Sequence, residues 1–342
     1  MLYNFSEITQ WNDMSTCIFC RVPSKKLTNE HVFPAALGGN LVLKQGTCDL
    51  CNHCFSKFEK PLLTELAPFR ALLRIQNRRG DVPEVEATAK TVDKDYAGLL
   101  KSDGTVQLKR TVTEVKNPDG TREFVHRFLN QRQRAKLLKE ITHKGLRYDE
   151  LGPGDPVRAE IHIGGDFKEI GSTNGLRSVA KIAYVGLAYL AGTGLAIGDS
   201  YDQVRNFIMN GAAKQSARLF VNYKFAADVR QGPHQHSIIL AGRHDRRRVD
   251  AIVRLFGGLS YFVTLSDCYA GADFNKMLLY DGHRRAKDGF LVTHLETEML
   301  QIESVLTSPG TFWDDLPASA KFFCDFLQQA LRGIPQREFK IG

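Results

Sequence analysis

Two pairs of cysteines with the same spacing constrain this chain most. Cys17 and Cys20 form one C-x2-C, and Cys48 and Cys51 form another after 27 intervening residues. Each pair presents two thiolates from one tight turn, and together they supply the four sulphurs of a tetrahedral zinc site. The segment that carries them is too short to bury much core, so metal would supply a large part of its folding energy. Five of the seven cysteines lie between residues 17 and 54. In a reducing compartment such clustering indicates metal rather than disulfides. Cys54 reads as a small buried helix residue, and Cys268 and Cys324, in apolar surroundings, as inert core thiols.

Between the knuckles, "LTNEHVFPAALGG" sets Glu30 beside His31 and is followed through Pro34 to the pair Gly38-Gly39; Asn52 directly follows the last knuckle cysteine. In this order the residues resemble the HNH endonuclease family, most closely the zinc-stapled branch shared with phage junction-resolving endonucleases. The resemblance covers about residues 15–60. It implies a ββα-metal fold with His31 on the first strand, the two glycines opening the loop between strands, and "CNHCFSKFEK" starting the helix. It also implies that His31 is the general base that activates water, and that Glu30 and Asn52 hold one catalytic divalent ion, Mg2+ or Mn2+. The family's third ligand position falls near Ser56, with Glu59 as the alternative.

Chemistry agrees with those roles. Phosphodiester hydrolysis needs an activated water, charge on the phosphoryl oxygens and help for the leaving oxygen. A neutral imidazole suits the first task and a hard, oxygen-liganded ion the other two. One geometric demand follows. Neighbours on a strand point to opposite faces, so Glu30 and His31 reach one phosphate only at a backbone kink or a strand edge.

A net charge of +8 and a pI near 9.1 are compatible with a polyanionic partner. After the cysteine-rich unit, "FRALLRIQNRRG" spaces Arg70, Arg74 and Arg78 as one helical stripe, expected to track phosphates. Further basic clusters lie at Arg132, Arg134, Lys136 and Lys139, at 243–248 ("RHDRRR") and at 282–287 ("GHRRAK"). His234 and His236 in "PHQH" lack nearby acids or cysteines that would complete a metal site. The start lacks a basic segment followed by a long apolar one, and the uncharged run 182–198 is short and glycine-rich; a cytoplasmic location is expected.

Residues 61–80 read as helix broken at Pro68, 84–129 as strands with a hairpin turn at "NPDG" (117–120), and 130–144 as a basic helix. "LRSVAKIAYVGLAYLAG" and "DSYDQVRNFIMNG" read as helices, "HSIILAG" and "VDAIVRLFGGLSYFVTLS" as antiparallel strands, and "SAKFFCDFLQQALRGI" as a terminal helix. Without βαβ alternation, the class is α+β. The expected domains are a zinc-stapled HNH unit over 1–60, a basic helical connector over 61–80 and a larger α+β targeting or sensing domain over 81–342. A fragment ending near Gly80 is then expected to fold with zinc and to nick weakly.

The function read from the sequence is a divalent-metal-dependent endonuclease, with a role in restriction or phage defence by analogy with similarly built nucleases. Two alternatives stand beside it: an effector switched on by a small ligand in the C-terminal domain, and a zinc-dependent nucleic-acid-binding protein that no longer cuts. Intact Glu30, His31 and Asn52 argue against the last. The partners expected are nucleic acid, double-stranded DNA foremost, a second copy of the chain in a homodimer and, in the effector reading, a small-molecule activator; no membrane is expected.

Overall fold

A computed structural model describes residues 15–291 except 78, 91–94, 104, 109–110, 121, 128–130, 145–159, 164–168, 212–216, 221–233 and 283–289. In chain order the first elements are β1 (Ser15–Thr16), β2 (Pro23–Ser24), β3 (Thr28–His31), β4 (Val42–Thr47), α1 (Asp49–Glu65) and α2 (Ala67–Leu72). There follow β5 (Val85–Lys90), β6 (Asp95–Leu100), β7 (Val106–Leu108), β8 (Thr111–Lys116), β9 (Arg122–Arg127), α3 (Gln131–His143) and β10 (Glu160–His162). The remainder is α4 (Thr173–Ala191), α5 (Thr193–Ala196), α6 (Asp202–Asn210), β11 (Ala217–Phe220), β12 (Gln235–Arg243), β13 (Arg248–Leu255), β14 (Leu259–Ser266), β15 (Phe274–Asp281) and β16 (Phe290–Leu291). Helices and antiparallel sheets make the chain α+β, as its pattern indicates. The expected terminal helix and Cys324 lie outside the described residues.

The chain divides into two compact units, each built from segments that are not contiguous in sequence. One unit combines the cysteine-rich segment through Leu66 with Ile75–Asp81 and the described residues after Asp166; the other holds Ala67–Arg74 and Val82–Gly165. The expected boundary at 60 falls inside α1, that at 80 lies beside the break between Asp81 and Val82, and the described residues of 81–342 are divided between the two units. The physical reason lies in the first unit's core. Helix α4 is buried along nearly its whole length, starts at Ser172, whose hydroxyl accepts the Gly175 N–H at 3.1 Å, and packs on both α1 and the sheet β11-β14-β13-β12-β15-β16. Rings of Phe19 and Phe55 meet at 4.5 Å, Phe19 and Tyr184 at 5.4 Å, and the Tyr184 hydroxyl donates to the Ile18 carbonyl at 2.9 Å. So the apolar side of the ββα segment is covered by residues that lie far along the chain.

The loop after β3 is held from the other side. On the paired strands β12 and β15, His236 stands opposite Tyr280. His236 Nε2 lies 3.1 Å from the Leu37 carbonyl, and its Nδ1 accepts the Phe256 N–H at 3.1 Å. The ring is therefore the neutral Nε2–H tautomer. Tyr280 donates to the Gly38 carbonyl and accepts the Asn40 N–H at 3.1 Å. Two glycines are needed in that loop. Gly38 has φ +83°, and a Cβ there would come within 2.9 Å of Ile75 Cγ2; a Cβ on Gly39 would overlap the Phe33 carbonyl.

The second unit has a four-stranded antiparallel sheet, β10-β5-β6-β7, over a small core of Ala71, Val85, Ala87 and Leu100. Its β8–β9 hairpin turns at 117–120, where the Gly120 N–H donates to the Asn117 carbonyl at 3.0 Å. Among the described residues, no helix is long and apolar enough to cross a membrane.

Candidate active site and metal centre

The first knuckle is the turn between β1 and β2. Arg21, at φ +58°, closes it by donating its N–H to the Cys17 carbonyl at 2.9 Å. The second knuckle is the start of α1, with Cys48 at the N-cap position and Cys51 in the first turn. The four Sγ atoms lie within 4.8 Å of one another, with Cys20 and Cys48 at 3.7 Å. Zinc bound tetrahedrally at about 2.3 Å places sulphurs about 3.8 Å apart, so the set suits that ion. The Cys51 thiol donates to Cys17 and holds it well below the usual thiol range, at about 4, while Cys51 is itself pushed up by the same bond and by burial. Burial also pushes Cys20 up.

Strand β3 pairs with β4 in the register Thr28↔Thr47, Glu30↔Leu43 and His31↔Val42. The extra residues bulge out of β4, where Gln45 has φ +50° and its N–H donates to Asn29 Oδ1 at 3.2 Å. The strand itself is not kinked between 30 and 31. Burial alternates accordingly: Glu30 is 4% exposed, while Asn29 is exposed and His31 half-buried. Asn52, in the first turn of α1, places Nδ2 3.5 Å from Thr28 Oγ1, on the face that Thr28 shares with Glu30. Glu30 and His31 therefore point to opposite sides of β3.

Glu30 has a partner that the local sequence does not reveal. Lys181 of α4 sets Nζ 2.6 Å from Glu30 Oε1 and 2.6 Å from Glu59 Oε1. Burial raises the Glu30 carboxyl, with the Lys181 charge opposing; burial likewise works against charge on Lys181, but its two carboxylates outweigh it and its pKa rises. Glu30 Oε2 is buried and takes no hydrogen bond of normal geometry from the described residues. Ser56 donates its hydroxyl to the His53 carbonyl at 2.8 Å, and Glu59 is bound to Lys181, so both candidates for a third ion ligand have other partners. In the sequence Lys181 stands out only as one of the two charged residues of α4, with Arg177, and nothing there points to Glu30.

The expected arginine stripe does not form. Helix α2 ends at Leu72, and Arg74 lies beyond it at φ +54°, so Arg70 and Arg74 share no helical face. Arg70 is only 7% exposed and burial lowers its pKa; Arg78 lies outside the described residues. Lys136 and Lys139 are exposed on α3, whereas the side chains of Arg132 and Arg134 are outside the described set. The tip of the β12–β13 hairpin exposes Arg246 and Arg247, with Arg248 paired to Asp250 at 2.7 Å. Cys268, expected in the core, is exposed.

Residues 17–66 match the family model described as HNH endonuclease. This segment, from the first knuckle to the end of α1, is thus similar to HNH endonuclease modules and carries the four-cysteine cluster. No curated protein and no solved structure matches the chain.

Proposed function

We propose that the chain is a divalent-metal-dependent endonuclease that hydrolyses phosphodiester bonds of double-stranded DNA, with His31 as general base. The observation that carries this reading is the order of groups along the matched segment: Glu30 and His31 at the end of β3, and Asn52 one residue beyond the last knuckle cysteine on α1. His31 takes the proton of the attacking water. Glu30, through Oε2, and Asn52, through its amide oxygen, are the residues that would hold Mg2+ or Mn2+. Such an ion supplies charge to the phosphoryl oxygens and the leaving oxygen. An orphaned, buried carboxylate oxygen is the kind of atom a hard cation satisfies, which is why Glu30 fits the role. Exposed Lys136, Lys139, Arg246 and Arg247 support a targeting role for the rest of the chain, through phosphate contacts that position without reading sequence.

The test uses zinc-loaded full-length protein with modified and unmodified plasmid, in Mg2+ or Mn2+, with and without chelator. Cleavage is expected, is lost with EDTA, and falls roughly 10²–10⁴-fold in His31→Ala while zinc content is unchanged. Equal cutting by His31→Ala, or none by the unaltered chain on DNA, overturns the proposal.

A further inference from the structure

We infer that Lys181, contributed by α4, is a positioning residue of the nuclease site: it grips Glu30 by one carboxylate oxygen and so presents the other to the divalent ion. The inference rests on the reading of Glu30 as an ion ligand given above.

The geometry is specific. The Lys181 side chain is 4% exposed, and its ammonium faces Glu30 Oε1 and Glu59 Oε1, each at 2.6 Å, with the Phe55 ring 4.7 Å from Nζ. These three neighbours come from β3 and α1, the two elements that carry His31 and Asn52. A buried ammonium with two short charge-assisted bonds has little rotamer freedom, and neither do the carboxylates that accept them. Glu30 is thereby fixed with Oε1 occupied, while Oε2 has no hydrogen bond of normal geometry among the described residues. Without the ammonium, two buried carboxylates would crowd one another and Glu30 would lose the group that sets its orientation. Groups that orient an ion's ligands in this way change its affinity by about 10–100-fold when removed.

A purely architectural role for Lys181, tying α4 to the HNH segment, would alter stability and leave ion affinity alone. The two are separated by direct Mn2+ binding to the zinc-loaded full chain, read by electron paramagnetic resonance and calorimetry. Lys181→Met is the first variant. Because it leaves two buried acids unpaired and can unfold the chain, Lys181→Met/Glu59→Met is the second. In that double variant the triad keeps its net charge of one negative, so a change in affinity reports orientation and not charge. The expected result is Mn2+ binding weaker by about tenfold or more in whichever variant folds, with zinc content kept, and comparable weakening in Glu30→Gln. Affinity within about threefold of the unaltered chain in the folded double variant overturns the inference, as does unaltered binding by Glu30→Gln. If the unaltered chain binds no Mn2+ and cuts no DNA, the proposed function itself fails, which is a different result from a chain that cuts and binds without regard to Lys181.

Discussion

Four sulphurs within 4.8 Å of one another cannot all be thiolates unless a cation lies among them. Without one, the cluster settles its charge by sharing protons, which is why Cys17 is held low and Cys51 high. Zinc bound there would remove that conflict and would join the β1–β2 turn to the first turn of α1, and so fix where the helix starts and with it Asn52. The full chain is expected to carry one zinc. Cys48→Ala should lose it and lower the melting temperature by about 10 °C or more, since structural zinc contributes several kcal/mol to folding. Elemental analysis and calorimetry check this, and a variant that keeps zinc and melts normally would show that the knuckles are not one site. The cysteines, Glu30, His31 and Asn52 are legible from the sequence because their relation is one of short spacing. Lys181 is not, because it meets Glu30 only through the packing of α4, and a lysine's position in a string says nothing of which carboxylates it will be buried against.

At the scale of elements, the β3–β4 loop is fastened to the six-stranded sheet through His236 and Tyr280. His236 is wholly buried, and burial lowers its pKa to about 4 against the Leu37 carbonyl and Asp281, which pull upward, and His234, which pulls down. The sign follows from proton counting. Between about 4 and 6.5 the unfolded chain binds a proton at this residue that the folded chain refuses, so its contribution is full above about 6.5 and is lost as pH falls toward 4. The loss amounts to roughly 3 kcal/mol. In urea melts from pH 7.5 to 4.5, His236→Phe should be less stable at neutral pH, through loss of two buried hydrogen bonds, yet show a flatter fall on acidification. Carboxylates titrate in the same window, so the difference between the two curves is the measurement. An equal slope would mean that His236 accepts its proton while folded. Most elements here follow from periodicity and turn residues: the buried apolar α4, the 117–120 hairpin and the β12–β13–β14 meander. The helical arginine stripe does not form, because a spacing of four marks a common face only if the helix lasts, and α2 stops at Leu72.

For the whole molecule, the consequence is that the HNH segment is one layer of a larger core. Phe19, Phe33, Phe55, Phe58 and Leu62 are each no more than 3% exposed. The structure covers this side of the segment with α4 and with β12 and β15, all beyond residue 170. Uncovering a large apolar side chain costs about 1.5–3 kcal/mol, so a fragment ending at Gly80 forfeits an amount comparable with the whole stability of an ordinary domain. It also strips Lys181 from between Glu30 and Glu59, and removes both residues that hold the 37–40 loop. Zinc acts on the four cysteines alone and reaches none of these contacts. The fragment should therefore bind zinc, since its ligands are all present, but expose apolar surface to a hydrophobic dye and self-associate. Its nicking should be at least about 100-fold weaker than that of the full chain, because the proposed base and ion ligands, displaced by an ångström, would lose that much. This reverses the expectation that the segment's complete set of chemical groups would suffice. A fragment with dispersed amide resonances and near-full activity would show that α4 and the sheet are dispensable to the site. A fragment that gains activity when residues 81–342 are supplied as a separate chain would show that the missing requirement is the packing surface and not covalent continuity.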